Sequence, residues 1–222
     1  MGRYFIGVDL GQSQDFTTIA VVERVDLRGE WDPAMFARRD LVVLRLRLLE
    51  RIRLGTPYPQ IVERVVEVAC SPELAGQSHL AVDATGVGRP VLDMLRRSRP
   101  PSILMPVIVT GGERETHENG CHRVPKRDLI IGLQVVLQRE ALQIAAGLAH
   151  APALVAEMAE MQVKITPAGH EQYGAWRQGT HDDLVFAVAL ACWSAHKIHP
   201  HPPAGEERWL RYPYRAEPAR LL

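Results

Sequence analysis

Four aspartates occupy positions from which they could hold metal ions. Asp9 and Asp83 each end a short apolar run, and Asp182 and Asp183 stand directly before a long apolar segment. Carboxylates gathered in a partly dry site repel one another and need a compensating charge, which Mg²⁺ or Mn²⁺ supplies through its preference for oxygen ligands. Two such ions, ~3.5–4 Å apart, can activate a water molecule and stabilise the leaving oxygen in phosphodiester cleavage.

Each of these acids also has an ordinary structural explanation. A single aspartate at a strand end is commonly a turn or capping residue, and Asp182 or Asp183 alone could be the N-cap of a helix. The combination carries the prediction, because both strand-end aspartates are followed by glycine within a few residues and the doubled acid precedes a core helix. We therefore predict a metal site formed by Asp9, Asp83 and at least one acid of the pair.

The elements that would position these acids follow from hydrophobic periodicity and turn residues. The predicted strands are 4–10, 16–25, 41–49, 79–83 and 103–109. The predicted helices are 58–70, 90–97, 125–140, 151–162 and 181–195. Residues 110–124 and 166–180 have no periodicity; the first is predicted as an irregular loop or hairpin and the second as a loop. We also expect residues 110–124 to form a mobile flap beside the metals.

Two strands carry further signals. In 41–49, Leu44, Leu46 and Leu48 alternate with arginines, which predicts a strand with one wet face at a sheet edge. Pro106 lies inside the strand 103–109, which predicts a bulge or an edge at that point.

The order of elements predicts a mixed α/β sheet. Three strands precede the first helix, which favours an antiparallel meander followed by strand–helix crossovers and excludes an alternating doubly wound fold. If the strands of Asp9 and Asp83 are parallel neighbours, both carboxylates emerge at one edge of the sheet. The macrodipole favours an acid at the start of the last helix, which could aim Asp182 or Asp183 at the other two.

Composition indicates an ordinary globular chain. Of 222 residues, 46% are hydrophobic and 23% charged, which excludes a disordered or fibrous protein. Lys+Arg and Asp+Glu are 26 each, so any case for nucleic acid or membrane must be local. The three separated cysteines fit a reducing cytoplasm. The first residues enter a strand pattern without a signal-peptide layout, and no apolar run reaches ~18 residues.

Four segments resemble the nuclease domain of the large terminase subunit of tailed phages, a member of the RNase H-like (retroviral-integrase-like) superfamily. The most specific is GTHDDLVFAVALACW. The segments are 7–23, 80–95, 124–144 and 179–193, within a resemblance that spans about residues 3–195. The resemblance implies a five-stranded RNase H-like mixed sheet with helices on both faces. It also implies a metal-dependent endonuclease that cuts concatemeric double-stranded DNA during packaging.

The resemblance also implies roles for single residues. Asp9, Asp83 and Asp183 become the catalytic metal ligands of two Mg²⁺ or Mn²⁺ ions, and Asp183 is preferred over Asp182 because the second acid of the family's pair is usually the ligand. Asp182 is then a possible fourth ligand, and His181 could support a ligand without binding metal itself. Phosphate contacts, which set affinity rather than sequence preference, are expected from the basic residues Arg89, Arg123, Lys126, Arg127 and Arg177.

One departure from the family concerns the motor. The sequence contains no G-x-x-x-x-G-K-[ST] phosphate loop, so we expect a nuclease module whose ATPase motor is a separate or excised partner, acting with other packaging proteins. Three alternatives stay open: another RNase H-type nuclease such as a Holliday-junction resolvase, an actin-like nucleotide-binding protein suggested by DLGQSQDFTT, and a non-catalytic packaging module.

The sequence also predicts how the chain divides into a domain and a tail, and where the protein acts. Residues 1–197 are predicted to form the nuclease domain, and residues 198–222, rich in proline, arginine and aromatic residues, a C-terminal tail. We expect the protein in the cytoplasm of a bacterial host, as a phage or prophage product that meets double-stranded DNA and no membrane.

Overall fold

A computed structural model describes residues 3–11, 15–34, 36–38, 41–86, 88–165, 171–174 and 181–198. The strands are β1 (Tyr4–Asp9), β2 (Thr17–Leu27), β3 (Trp31–Asp32), β4 (Ala37–Arg38), β5 (Leu41–Ile52), β6 (Ser78–Asp83), β7 (Ser102–Thr110), β8 (Thr116–Glu118), β9 (Cys121–Pro125), β10 (Leu142–Ile144), β11 (Gln162–Ile165) and β12 (Glu171–Gly174). The helices are α1 (Tyr58–Ala69), α2 (Gly88–Ser98), α3 (Lys126–Gln138), α4 (Ala151–Glu160) and α5 (Asp183–Lys197).

A mixed sheet of eight strands, in the order β10-β5-β2-β1-β6-β7-β9-β8, forms the centre of the molecule. Strands β1, β2 and β5 are an antiparallel meander, and β6 and β7 then add in parallel beside β1. The predicted mixed α/β class, with three antiparallel strands followed by parallel ones, is confirmed. The short hairpins β3–β4 and β11–β12 lie outside this sheet.

Two hydrophobic clusters cover the two faces of the sheet. Helices α3, α4 and α5 pack on the face that presents Phe5, Ala20 and Ala81. Helices α1 and α2 pack on the opposite face, against Ile6 and Val8. Helix α5 is buried on nearly every side, as expected for a helix that is apolar all round. Helices on both faces were predicted and are confirmed.

The sheet contains three more strands than the five that the sequence predicted. β10 is only three residues long, too short for a periodic signal. β8 and β9 form a hairpin in the segment 110–124, and its two-residue turn places Asn119 and Gly120 at positive φ, the geometry favoured by an Asn-Gly pair. The segment is therefore a hairpin joined to the sheet through β9; its predicted mobility stays a prediction.

Strand β5 differs from the prediction in two respects. Along Leu44–Leu46 it is not an edge strand, because β10 pairs with it there on the outer side. Its alternation is also interrupted by a register shift opposite Val21 and Val22. As a result Leu46 and Leu49 pack on the α5 face, while Leu48 packs on the opposite face. The predicted single apolar face through Leu48 is wrong because the bulge reverses the faces beyond it.

Pro106 lies where β7 has one strand neighbour. Residues up to Val107 pair with β6, and pairing with β9 begins only at Val107, so on the outer side of Pro106 the described residues contain no partner strand. A proline, which lacks the N–H that a ladder requires, fits this local edge. Within the described residues, no helix is long and apolar enough to cross a bilayer.

Candidate active site

A row of polar residues crosses four strands at one edge of the sheet. Asp9 pairs with Thr18 in β2, and Thr18 pairs with Arg51 in β5. On the other side, the parallel register of Val8 with Val82 makes Asp83 the next neighbour of Asp9. Residues opposite each other in a sheet share a face, so this row lies on the face that α5 covers.

Gly7 allows α5 to lie close above this row. A Cβ atom on Gly7 would stand 2.1 Å from the carbonyl oxygen of Ala187 and 2.7 Å from the backbone nitrogen of Ala191. The absence of a side chain is therefore a condition of this close packing. The approach brings the first turn of α5, with Asp182 and Asp183, to the edge where β1 and β6 end. We call Asp9, Asp83, Asp182 and Asp183 the acid edge.

The acids of this edge act on one another electrostatically. Burial raises the pKa of Asp9 well above its ordinary value, and the negative charges of Asp83, Asp182 and Asp183 raise it further. Burial also raises the pKa of Asp83, against hydrogen bonds from Thr85 that lower it. Burial and like charges both disfavour ionised carboxylates. The acid edge is therefore a place where additional positive charge would be strongly stabilising.

Asp183 is held by contacts from two strands. Its Oδ2 accepts hydrogen bonds from Thr18 Oγ1 at 2.6 Å and Arg51 Nε at 2.8 Å. Its Oδ1 accepts a longer bond of 3.2 Å from Arg51 Nη2, which leaves Oδ1 the more available oxygen for a cation. These contacts fix the direction in which the buried Asp183 side chain points.

Glu157 of α4 closes this network from the other side. It pairs with Arg51, and its Oε2 accepts the backbone N–H groups of Leu184 and Val185 at 3.1 and 3.3 Å. Free N–H groups in the first turn of a helix need acceptors, and here another helix supplies one. Burial and the charge of Asp183 raise the pKa of Glu157 to about 7, although Arg51 opposes the shift.

Asp182 has a different cationic partner, Lys126. The Nζ of Lys126, at the start of α3, lies 3.2 Å from Oδ2 of Asp182. It also lies 4.2 Å from the centre of the Phe186 ring, which adds a cation–π contact. Lys126, which the sequence singled out for DNA, therefore lies against the acid edge.

The other predicted residues are more scattered. His181 stacks edge-on against Phe16, and its Nδ1 is 3.9 Å from Oδ1 of Asp183, consistent with a supporting position. Arg127 lies beside Asp128 and donates to the carbonyl oxygen of Glu113. Arg123 is exposed on β9. Arg177 lies outside the described residues, as does the side chain of Arg89 at the start of α2.

The sequence reasoning missed Thr18, Arg51 and Glu157. Arg51 continues the arginine-rich strand that begins with Arg45, but a strict alternation would put it on the face opposite Leu46. The bulge in β5 is what brings it into the row with Asp9. Glu157 carries a weaker signal, since an acid on the apolar face of α4 is unusual and asks for a partner.

The donor set fits hard divalent cations. Five carboxylates face two cationic side chains across this edge, and carboxylate oxygens are the ligands that Mg²⁺ and Mn²⁺ prefer. Within the part of the chain that the structure describes, no group of three or more His, Cys, Asp or Glu side chains is placed to hold a metal ion as it stands. Instead Lys126 pairs with Asp182, which precedes α5, and Arg51 pairs with Asp183, its first residue. The chemistry fits, and a bound ion would have to draw carboxylates away from these cations.

This fold is shared with phage nucleases of known structure. The large terminase nuclease of thermophilic phage G20c, solved with bound magnesium, aligns with a TM-score of 0.58 at 20% identity, over 86% of this chain and 80% of that chain. The nuclease domain of the Thermus phage P74-26 large terminase gives 0.53 at 19% identity, over 85% and 77%. The large terminase nuclease domain of bacteriophage SPP1, solved with bound Mn, gives 0.50 at 9%, over 87% and 86%.

These likenesses establish the fold, which is that of the large terminase nuclease domains. The G20c nuclease has also been solved with cobalt, so metals are bound in several of these structural neighbours. No protein-family model matches the sequence. No curated protein matches it either.

Proposed function

We propose that this chain is a metal-dependent endonuclease that hydrolyses phosphodiester bonds of double-stranded DNA by a two-metal-ion mechanism, as in the cutting of concatemeric phage DNA during packaging. The observation that carries the proposal is the acid edge itself. Burial raises the pKa of Asp9, and repulsion from the other three carboxylates raises it further, at the end of the central strands of a terminase nuclease fold.

Asp9, Asp83 and Asp183 are the proposed catalytic ligands, with Asp182 as a fourth. Two Mg²⁺ or Mn²⁺ ions held there would activate the attacking water and stabilise the leaving oxygen. Thr18 and Arg51 orient Asp183, and the hydrogen bond from the backbone N–H of Thr85 orients Asp83 at 2.8 Å. Ligands held by neighbouring groups in this way keep their geometry when substrate arrives.

DNA contacts are proposed from basic residues around this edge. Lys126 and Arg127 begin α3, where a helix N-terminus favours phosphate. Arg123, Arg89 and Arg177 are the further candidates. The proposed partners are double-stranded DNA, a separate or excised ATPase motor, and other packaging proteins in the cytoplasm of the bacterial host. The proposed nuclease domain is 1–197, and the proposed tail, 198–222, begins at the last described residue.

A plasmid-cleavage assay tests the proposal. The full chain is incubated with supercoiled plasmid and Mn²⁺ or Mg²⁺, and compared with Asp83→Ala and with Asp93→Ala. Asp93 is an exposed acid of α2 that pairs with Arg96, so it controls for the loss of a surface carboxylate. We expect cleavage by the wild type and the control, and a loss of at least about 100-fold in Asp83→Ala.

Equal cleavage by the wild type and Asp83→Ala would refute the proposed site. Branched DNA and an RNA–DNA hybrid, run beside linear duplex under the same conditions, test the substrate. A clear preference for either would replace the packaging role with that of another RNase H-type nuclease. Asp182→Ala and Asp183→Ala in the same assay identify the principal ligand of the pair, and we expect the larger loss for Asp183.

A further inference from the structure

Lys126 is the cation that lies most openly against the acid edge. Its Nζ is 3.2 Å from Asp182 Oδ2 and 4.2 Å from the centre of the Phe186 ring. Its side chain keeps 35% of its surface exposed, and that of Asp182 keeps 32%. The ion pair therefore stands at the mouth of the site rather than beneath it.

The charge of Lys126 reaches further than its ion pair. It lowers the pKa values of Asp9 and Asp83, opposing the burial and repulsion that raise them. The ammonium group thus acts on acids of β1, β6 and α5 together. A divalent cation shared by these acids would occupy the same region and would repel the ammonium group.

The two cations at this site differ in how firmly they are held. Arg51 contacts Asp183 through two nitrogens, also pairs with Glu157, and has 17% of its side chain exposed. Lys126 makes one ion pair and one ring contact on a flexible stem. Arg51 is therefore the more firmly held of the two cations, and Lys126 is the more easily displaced.

We propose that Lys126 is a resident counter-ion of the acid edge, which a divalent cation has to displace from Asp182, so that this lysine sets the metal affinity of the site. The inference rests on the proposed function, because it assumes that the acid edge is the metal site. It makes Lys126 a regulating residue whose displaced ammonium group is then free to meet a DNA phosphate.

Metal titration of the full chain tests this inference without any cleavage. Mn²⁺ binding is measured by calorimetry, at fixed ionic strength and about pH 8, for the wild type, Lys126→Met, Lys126→Arg and Lys197→Met. Methionine keeps the length of the aliphatic stem but removes the charge. Lys197 is the matched control, because it pairs with Glu115 at 2.7 Å at the opposite end of α5.

We expect Lys126→Met to bind Mn²⁺ about tenfold more tightly than the wild type, which corresponds to ~1.4 kcal/mol. Lys126→Arg, which keeps the positive charge, should bind no more tightly than the wild type, and Lys197→Met should bind with wild-type affinity. Unchanged or weaker binding by Lys126→Met overturns the inference, as does equal tightening by Lys197→Met. Lys126→Gln replaces the methionine variant if that protein does not fold, as judged by its thermal unfolding without metal.

The plasmid assay separates this inference from the proposed function. Cleavage that depends on Asp83, with no change of affinity in Lys126→Met, overturns the inference and leaves the nuclease intact. Tighter Mn²⁺ binding by Lys126→Met, in a chain that cleaves no DNA, supports the inference and refutes the nuclease. If neither the wild type nor Lys126→Met binds Mn²⁺, the inference is wrong.

Discussion

Two acidic regions of this molecule differ in how far nearby cations balance their negative charge. Glu23 in β2 is 1% exposed, yet it pairs with Arg3 and accepts hydrogen bonds from Arg47 at 2.8 and 2.5 Å. There, one carboxylate meets two guanidinium groups. At the acid edge, by contrast, four aspartates and Glu157 meet only Lys126 and Arg51 across the described contacts.

The difference separates a structural ion cluster from a binding site. The charge of a buried carboxylate that has its own cationic partners is already balanced, so the folded protein needs no further ion at that position. A cluster with more carboxylates than cations carries a cost in the metal-free protein, which a bound cation would relieve. Proteins often retain such unfavourable arrangements at functional sites, where stability is given up for activity.

The largest effect is expected from Gly7, because its missing side chain lets α5 lie close to the sheet. Asp182 and Asp183 of the acid edge lie at the start of α5, whereas Arg3 and Arg47, the partners of Glu23, do not lie on this helix. Gly7→Ala should lower the free energy of unfolding by about 3 kcal/mol, since the backbone of α5 must move away. Mn²⁺ affinity should fall with it. Denaturant unfolding and calorimetry measure the two effects.

Gly132 in α3 is the matched control for Gly7. A Cβ atom on Gly132 would meet nothing within 4 Å, so Gly132→Ala should stabilise the helix by up to about 1 kcal/mol and leave Mn²⁺ affinity unchanged. A Gly7→Ala protein of wild-type stability would show that α5 does not need this close approach.

Replacing one carboxylate in each region by its neutral amide should change the free energy of unfolding in opposite directions. Glu23→Gln should destabilise the metal-free protein by about 1–3 kcal/mol, because it breaks a buried pairing, while cleavage by the folded protein is retained. Asp9→Asn should stabilise the metal-free protein at pH 8, because it removes a carboxylate whose pKa is raised by burial and by repulsion, and it should abolish Mn²⁺-dependent cleavage.

Chemical denaturation in a chelator measures the change in the free energy of unfolding of both variants, with Asp93→Asn as an exposed control. Destabilisation by Asp9→Asn as large as that by Glu23→Gln would remove the contrast between the two regions.

A smaller effect is expected in the pH dependence of stability without metal. The pKa values of Asp9 and Asp83 are raised in the folded protein, and that of Glu157 is raised from 4.5 to about 7. The native state therefore binds protons more tightly than the unfolded chain, and this stability is lost as pH rises. We expect a decrease of about 2.5 kcal/mol between about pH 5 and pH 8, most of it from Glu157.

Thermal unfolding in a chelator across this range measures the slope, and Glu157→Gln should flatten it. Saturating Mg²⁺ should raise stability more at pH 8 than at pH 5, because the metal competes with protons for the same carboxylates. A stability that rises with pH in the absence of metal would contradict the electrostatics described for the acid edge.

The sequence predicted the central elements well because their signals are local. β1 and β6 are short apolar runs that end in an aspartate, and α5 is an uninterrupted apolar segment after two acids. Shorter elements such as β10 were missed, since three residues carry no period. The bulge in β5 was missed as well, and with it the position of Arg51, because a register shift depends on the partner strand.

What the sequence determined by itself was the chemistry available: four aspartates at strand ends and a helix start, in an order of elements that gives a mixed α/β sheet. Tertiary structure alone decided which side chains contact these aspartates and the helix start. Thr18, Arg51, Lys126 and Glu157 reach Asp182, Asp183 or the first turn of α5 across as many as 165 residues of chain. Such pairings follow from strand register and helix packing, which no local pattern of residues encodes.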